Sequence, residues 1–126
     1  MGPIMIPEKM FHQIKQSWEA YTNAWADIDP THREQLVKMS VSDDIDFSNP
    51  LIAGRGRVEL INAMAQFQKQ FPGARFGENT CIIHHEQLLS SWTLYGKDGS
   101  VLLTGHNYAR SNGEGRLVHM AGFFQA

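Results

Sequence analysis

Six histidines and a single cysteine are the side chains of this sequence most suited to proton transfer, metal binding or nucleophilic attack: His12, His32, His84, His85, His106, His119 and Cys81. Their spacing removes most of that chemistry. His84-His85-Glu86 begins like a zinc-binding helix motif, but Leu89 stands where the second histidine would have to be. Asp44, Asp46 and Ser48 open like a calcium loop, yet Asn49 replaces the glycine of the turn and Arg55 the closing glutamate. Gly54-Arg55-Gly56 starts like a dinucleotide-binding turn, and Glu59 occupies the place of its third glycine. A lone cysteine forms no intrachain disulfide and no cysteine-rich zinc site, and no G-x-S-x-G nucleophile elbow is present. The expectation is a protein without metal or cofactor. What is left is general acid–base work by imidazoles, and whether any imidazole does it depends on the elements that carry it.

Those elements can be read from apolar spacing. Pro7 and Glu8 suit the first turn of a helix, and Phe11, Ile14, Trp18, Tyr21, Trp25 and Ile28 then recur at steps of three and four, one face of about five turns. Thr31 and Glu34 have capping-box spacing for a short second helix ending near Ser40. Ile45, Phe47 and Asn49 alternate with polar residues as a strand stopped by Pro50, Gly54 and Gly56 mark a loop, and Leu60, Met64, Phe67 and Phe71 give a third helix halted by Pro72-Gly73. Residues 75–84, 87–96, 100–111 and 115–125, parted by turn signals, read as an antiparallel meander. Helices segregated before a meander imply an α+β domain with the first helix laid on one face of a curved sheet. His12 and His32 fall on polar helix faces.

Length and charge narrow the partners. A chain of 126 residues without internal repeat or linker is one domain, 1–126, with an ordered core expected over about 7–125. Eleven basic against thirteen acidic residues, with no basic run, lack the footprint of a nucleic-acid or anionic-membrane binder. No apolar stretch approaches a membrane span, and the Gly2-Pro3-Ile4-Met5-Ile6 opening carries neither a basic leader nor the Ser or Thr of a myristoylation signal. These features read as a soluble, cytoplasmic protein whose partner is a neutral small molecule. Thirteen aromatics and six methionines exceed what a minimal core needs, and such side chains also line apolar pockets.

Several segments, taken in order, resemble one family. They are Tyr21-Thr22-Asn23-Ala24-Trp25-Ala26-Asp27 at the end of the first helix, Asp43-Asp44-Ile45-Asp46-Phe47-Ser48-Asn49-Pro50 with the following Gly54, Phe71-Pro72-Gly73, Gly105-His106-Asn107-Tyr108, and Asn112-Gly113-Glu114-Gly115-Arg116-Leu117. From about Pro7 to Phe124 the chain resembles the SnoaL-like polyketide cyclase and ketosteroid isomerase-like branch of the NTF2-like superfamily. The resemblance implies an α+β, NTF2-like (cystatin-like) cone-shaped barrel, with three N-terminal helices on a strongly curved, mixed, mainly antiparallel sheet and a pocket between the first helix and the concave face. It also implies a homodimer and, among relatives, cyclases, isomerases, dehydratases, hydrolases and non-catalytic binders; the fold alone selects none of these.

Motif matching places Trp18 where steroid isomerases keep a tyrosine, Asn49 where they keep the proton-moving aspartate and Asn107 where they keep the acid of the oxyanion hole. A carboxamide does not titrate near neutral pH, so Asn49 and Asn107 can hold an oxygen but cannot be bases. A base would then have to be a histidine. With Trp92 and Asn107 taken to face the cavity, strand alternation turns Leu88, Ser90, Leu103 and Gly105 inward with them, and Val118, Met120 and Phe124 of the last strand, and turns His106, Tyr108 and His119 outward. At the hairpin either His84 or His85 faces the cavity, or both form a surface turn. Trp18, Trp25, Phe47, Met64, Phe67, Trp92, Met120 and Phe124 are expected to line the cavity, unless Trp18 and Trp92 fill it. The expected function is binding of a small hydrophobic, carbonyl-bearing molecule by a cofactor-independent isomerase, cyclase, dehydratase or hydrolase. The alternative is a non-enzymatic ligand-binding or dimerisation module.

Overall fold

The computed structural model describes residues 8–125; the proline start at Pro7, and all that was read for residues 1–7 and 126, lies outside the described residues. Helix α1 (Glu8–Ala24) buries Ile14, Trp18 and Tyr21 as the spacing requires, but it ends a turn early. Arg33 explains the stop. Its guanidinium, only 6% exposed, donates to the carbonyls of Ala24 at 2.9 Å and Ala26 at 2.8 Å, satisfying acceptors that a further helical turn would have used. Trp25 and Ile28 therefore sit beyond the helix. Helix α2 (Pro30–Ser40) starts from Asp29, whose side chain accepts from the His32 backbone N–H at 3.0 Å, with Pro30 in the first turn; the Thr31 capping box does not form.

Strand β1 (Val41–Ser48) begins earlier than its alternation suggested, and Ala53–Arg55, read as loop, is a short strand β2 paired antiparallel to it. Between them the Asn49 side-chain oxygen accepts from Leu51 N at 2.8 Å and Ile52 N at 3.1 Å, closing a tight turn. Helix α3 (Arg57–Gln70) follows, then β3 (Arg75–His84), β4 (Gln87–Tyr95), β5 (Val101–Ser111) and β6 (Leu117–Phe123). The meander is antiparallel throughout, and β1 joins it by running parallel to β6, giving the order β2-β1-β6-β5-β4-β3.

The sheet is mixed and curved but does not close: β2 and β3 are its two edges, so the expected barrel is an open cone that the helices complete. Register shifts in the β1–β6, β3–β4, β4–β5 and β5–β6 pairs supply the bend, since an extra residue in one strand kinks and twists it. One of these shifts also corrects the last strand. It brings Leu117, rather than Val118, inward opposite Ser111, while Met120 remains inward opposite Ala109. The narrow end of the cone is filled by Ile14, Ile45, Leu60, Leu88, Leu117 and Met120, each burial stabilising by roughly 1.5–3 kcal/mol. Ser17 pins α1 there by donating to the Gly115 carbonyl at 2.7 Å. Gly115 has φ +80°, and a side chain on it would meet Gln13 at 2.7 Å, so glycine is required. No described helix is long and apolar enough to cross a membrane.

Candidate ligand cavity

Between α1, α3 and the concave face lies a cavity of about 790 Å³, within the usual range for a small-molecule site. Its wall is a connected run of rings. Trp18 stacks on Tyr21 at 5.5 Å, Trp25 meets Phe67 edge-on at 5.5 Å, Phe67 stacks on Phe76 at 5.6 Å, and Phe76 meets Trp92 edge-on at 5.0 Å. Trp18 and Trp92 thus form walls and do not fill the space. Two backbone devices hold the run. Gly105 lies directly across from Trp92, and a side chain there would strike the indole at 2.4 Å, so glycine lets the ring lie flat on β5. Gln68 donates to the Trp25 carbonyl at 2.7 Å and the Ala74 carbonyl at 2.9 Å and accepts from Gly73 N, tying the loop after α1 to the loop after α3.

At one end of the cavity the two expected amides come together. Gly122 sits between them, since a side chain on it would be 3.3 Å from both the Asn107 Oδ1 and the Asn49 Cβ. Asn107 Oδ1 accepts from the Trp92 indole at 2.8 Å, and its Nδ2 points at the Met120 sulfur at 3.0 Å. Asn49 spends its oxygen on the turn described above. The Asn49 oxygen is thus fully engaged and the Asn107 oxygen partly so, and the N–H groups of the pair have the polarity that suits a carbonyl. Ser90, fully buried and directly opposite Asn107, adds a hydroxyl whose one hydrogen bond among the described residues is a long 3.5 Å one to the Ser91 carbonyl. Tyr21 lines the wall as a protonated phenol, because burial raises its pKa well above the ordinary range.

The other end carries a group that sequence reasoning missed. Glu78, on β3 opposite Trp92, lines the cavity with Oε1 accepting from the Trp18 indole at 2.9 Å and Oε2 from Lys15 at 2.8 Å. Counting back from the His84–Gln87 pair puts Asn79 opposite Trp92; the bulge at Asn79 puts Glu78 there instead. Glu59, at the start of α3, is an exposed carboxylate on the cavity rim.

Of the expected lining residues, Trp18, Trp25, Phe47, Phe67, Trp92 and Phe124 are in the wall, while Met64 and Met120 are buried beneath it, in the core cluster. His84 and His85 do not reach the cavity. Both are exposed at the β3–β4 hairpin, their Nδ1 atoms 3.0 Å apart, with His85 at φ 54° as the turn residue; that left-handed geometry points the pair into solvent. His119 faces outward, its Nδ1 3.2 Å from Asp46 Oδ2. Among the described residues no group of three or more His, Cys, Asp or Glu is placed to hold a metal ion.

No family model matches the sequence, and no curated protein matches it. Solved structures do. A candidate isomerase of the SnoaL-like family from Agrobacterium tumefaciens superposes with a TM-score of 0.83 at 27% identity, over 91% of this chain and 99% of that one. A candidate SnoaL-like polyketide cyclase from Jannaschia gives 0.78 at 13% identity, over 98% and 92%. A protein of unknown function with a cystatin-like fold from Nostoc punctiforme gives 0.77 at 12% identity, over 97% and 96%. With this element order and this open curved sheet, the chain has the NTF2-like (cystatin-like) fold of these structures and is similar to proteins of the SnoaL-like family.

Proposed function

We propose that this protein binds a small, largely apolar, carbonyl-bearing molecule in the cavity, with the carbonyl held by the amide N–H groups of Asn49 and Asn107. The observation that carries this reading is the convergence of the two amides around Gly122 at the end of an aromatic cavity of about 790 Å³. The likeness to a candidate isomerase and a candidate cyclase supports cofactor-independent isomerisation, cyclisation, dehydration or hydrolysis as the catalytic form of it. The amides at 49 and 107, which do not titrate near neutral pH, favour the other form, a binding module that polarises a carbonyl without moving a proton. A thermal-shift and native-mass screen against aromatic and terpenoid carbonyl compounds tests binding. Deuterium exchange at acidic C–H positions of each binder then separates the two forms: exchange accelerated by the protein marks an enzyme, and binding without exchange marks the module. Failure of every compound to bind would overturn the reading.

The outer face of the sheet supports a homodimer. Ile82, Leu89, Tyr108 and Ala121 form one cross-strand row, with Phe123 beside it, and Ile82, Leu89 and Phe123 are 61%, 48% and 59% exposed. A contiguous apolar strip of this kind is suited to a second copy of the same chain, with the polar Asp46–His119 pair at its rim. Light scattering at micromolar concentration is expected to give twice the chain mass, and Leu89→Lys the mass of one chain; a monomeric wild type would refute this.

A further inference from the structure

We infer that Glu78 is a specificity-determining anchor: it selects, among the carbonyl compounds this cavity takes, those that carry a hydroxyl at the end remote from the carbonyl. The inference rests on the binding reading above and extends it to the substrate class.

Three observations carry it. Glu78 lines the cavity from β3, the strand furthest from the amide pair on that side of the sheet. It is clamped: the Trp18 indole and the Lys15 ammonium each hold one of its oxygens, at 2.9 and 2.8 Å, and with the Cys81 thiol also within reach, a carboxylate's roughly four acceptor positions still leave one for a ligand donor. Its distance from the amides is set by register. Glu78 pairs with Trp92, Trp92 with Gly105, and Asn107 lies two residues along β5, so the backbones are separated by two strand spacings, about 10 Å, and by about 7 Å along the strands.

That separation decides between two roles. A base acting on a carbon next to the bound carbonyl must lie within hydrogen-bond reach of that carbon, about 3 Å. By that backbone separation Glu78 lies beyond this reach of a carbonyl held between Asn49 and Asn107. It therefore meets the distal end of the ligand, and as a carboxylate bridged to Lys15 it accepts from that end. Lys15 decides which donor. An ammonium on the ligand would be repelled by the lysine already paired there, whereas a neutral hydroxyl gains a charge-assisted hydrogen bond without that cost. A site built to accept from a hydroxyl discriminates against the analogue lacking it, because the carboxylate loses water and gains no partner. The ligand so described is rigid and apolar in its body, with an acceptor at one end and a donor at the other.

The test uses three probes of one shape: 2-acetyl-6-hydroxynaphthalene, its 6-methoxy ether and unsubstituted 2-acetylnaphthalene. Affinities are read by quenching of tryptophan fluorescence at about pH 6.5, where a phenol stays protonated. The wild type is expected to bind the hydroxy compound about tenfold or more tighter than the ether. In Glu78→Leu the three affinities converge by loss from the hydroxy compound alone. In Glu78→Gln, which keeps the shape and a neutral acceptor, the preference falls severalfold but persists, and this variant decides the question should the leucine variant not fold. Equal binding of hydroxy and methoxy compounds by the wild type, or a preference unchanged in both variants, overturns the anchor and leaves the binding function standing. Failure of all three to bind overturns the binding function for this class of carbonyl compound, and the anchor with it.

Discussion

The two ends of this cone are built from different side chains and behave as different materials. The narrow end is aliphatic and closed: Ile14, Ile45, Leu60, Leu88 and Leu117 are fully or almost fully buried and belong to one contiguous cluster. The wide end is aromatic and open: around Ala74, Trp92 and Leu94, the rings of Phe67, Phe76 and Phe124 are only partly buried and face the cavity. Branched and flexible aliphatic chains interdigitate to crystal-like density, whereas flat rings set edge to face leave space that a flat ligand can enter. One end supplies stability and the other supplies room, and the following substitutions separate the two.

The largest effect is expected at the closed end. Leu117→Ala removes a fully buried side chain from the β6 bulge and should cost about 2–5 kcal/mol in urea unfolding. Phe76→Ala at the open end should cost roughly half as much or less, since its ring already borders empty space, while altering ligand affinity more than Leu117→Ala does. Equal losses from the two would erase the distinction. Gly105→Ala comes next. The new methyl must displace the Trp92 ring at 2.4 Å or the Phe123 carbonyl at 2.7 Å, at an expected cost of about 1–3 kcal/mol together with a shift in tryptophan fluorescence. Asn107→Leu leaves the Trp92 indole N–H without its acceptor and should cost about 1–2 kcal/mol and weaken carbonyl binding; Asn107→Asp keeps an acceptor for the indole and should cost less.

How far these regions are legible in sequence follows from the same division. Helical steps of three and four find Ile14, Trp18 and Tyr21, and period two carried along β4 from Trp92 finds Leu88 and Ser90, because burial on one face leaves a periodic record. Features made by one side chain acting at a distance leave none. Arg33 ends α1 from nine residues away, so the apolar pattern runs on through Trp25 and Ile28 after the helix has stopped. The bulge at Asn79 carries no glycine or proline to announce it, yet it exchanges Asn79 for Glu78 opposite Trp92 and so hides the one carboxylate that Trp18 and Lys15 hold. The amides at 49 and 107 were found by resemblance to proteins with acids there; the histidines were sought only because those acids are missing, and the hairpin turns both away.

Cys81 marks where the two regions meet, and it yields the smallest but most selective prediction. The thiol packs against the closed core within reach of the Glu78–Lys15 pair. Burial pushes its pKa up, the Glu78 carboxylate pushes it further and Lys15 opposes, leaving it at about 11. Because the folded value lies above the unfolded one, the thiol's contribution to stability is complete below the unfolded value of about 9 and disappears as pH rises toward 11. The thiol is partly exposed, so this contribution is small, and reactivity reads it better than unfolding does. At pH 8 alkylation by iodoacetamide should run about 100-fold slower than for an unfolded control, in proportion to the thiolate present. Glu78→Gln should speed it and Lys15→Met should slow it, the opposite signs distinguishing the charge pair from burial alone. Equal rates in the two variants would mean that the Glu78 corner is wet enough to screen both charges, and the contrast between a dry narrow end and a wet wide end would then begin at Cys81 itself.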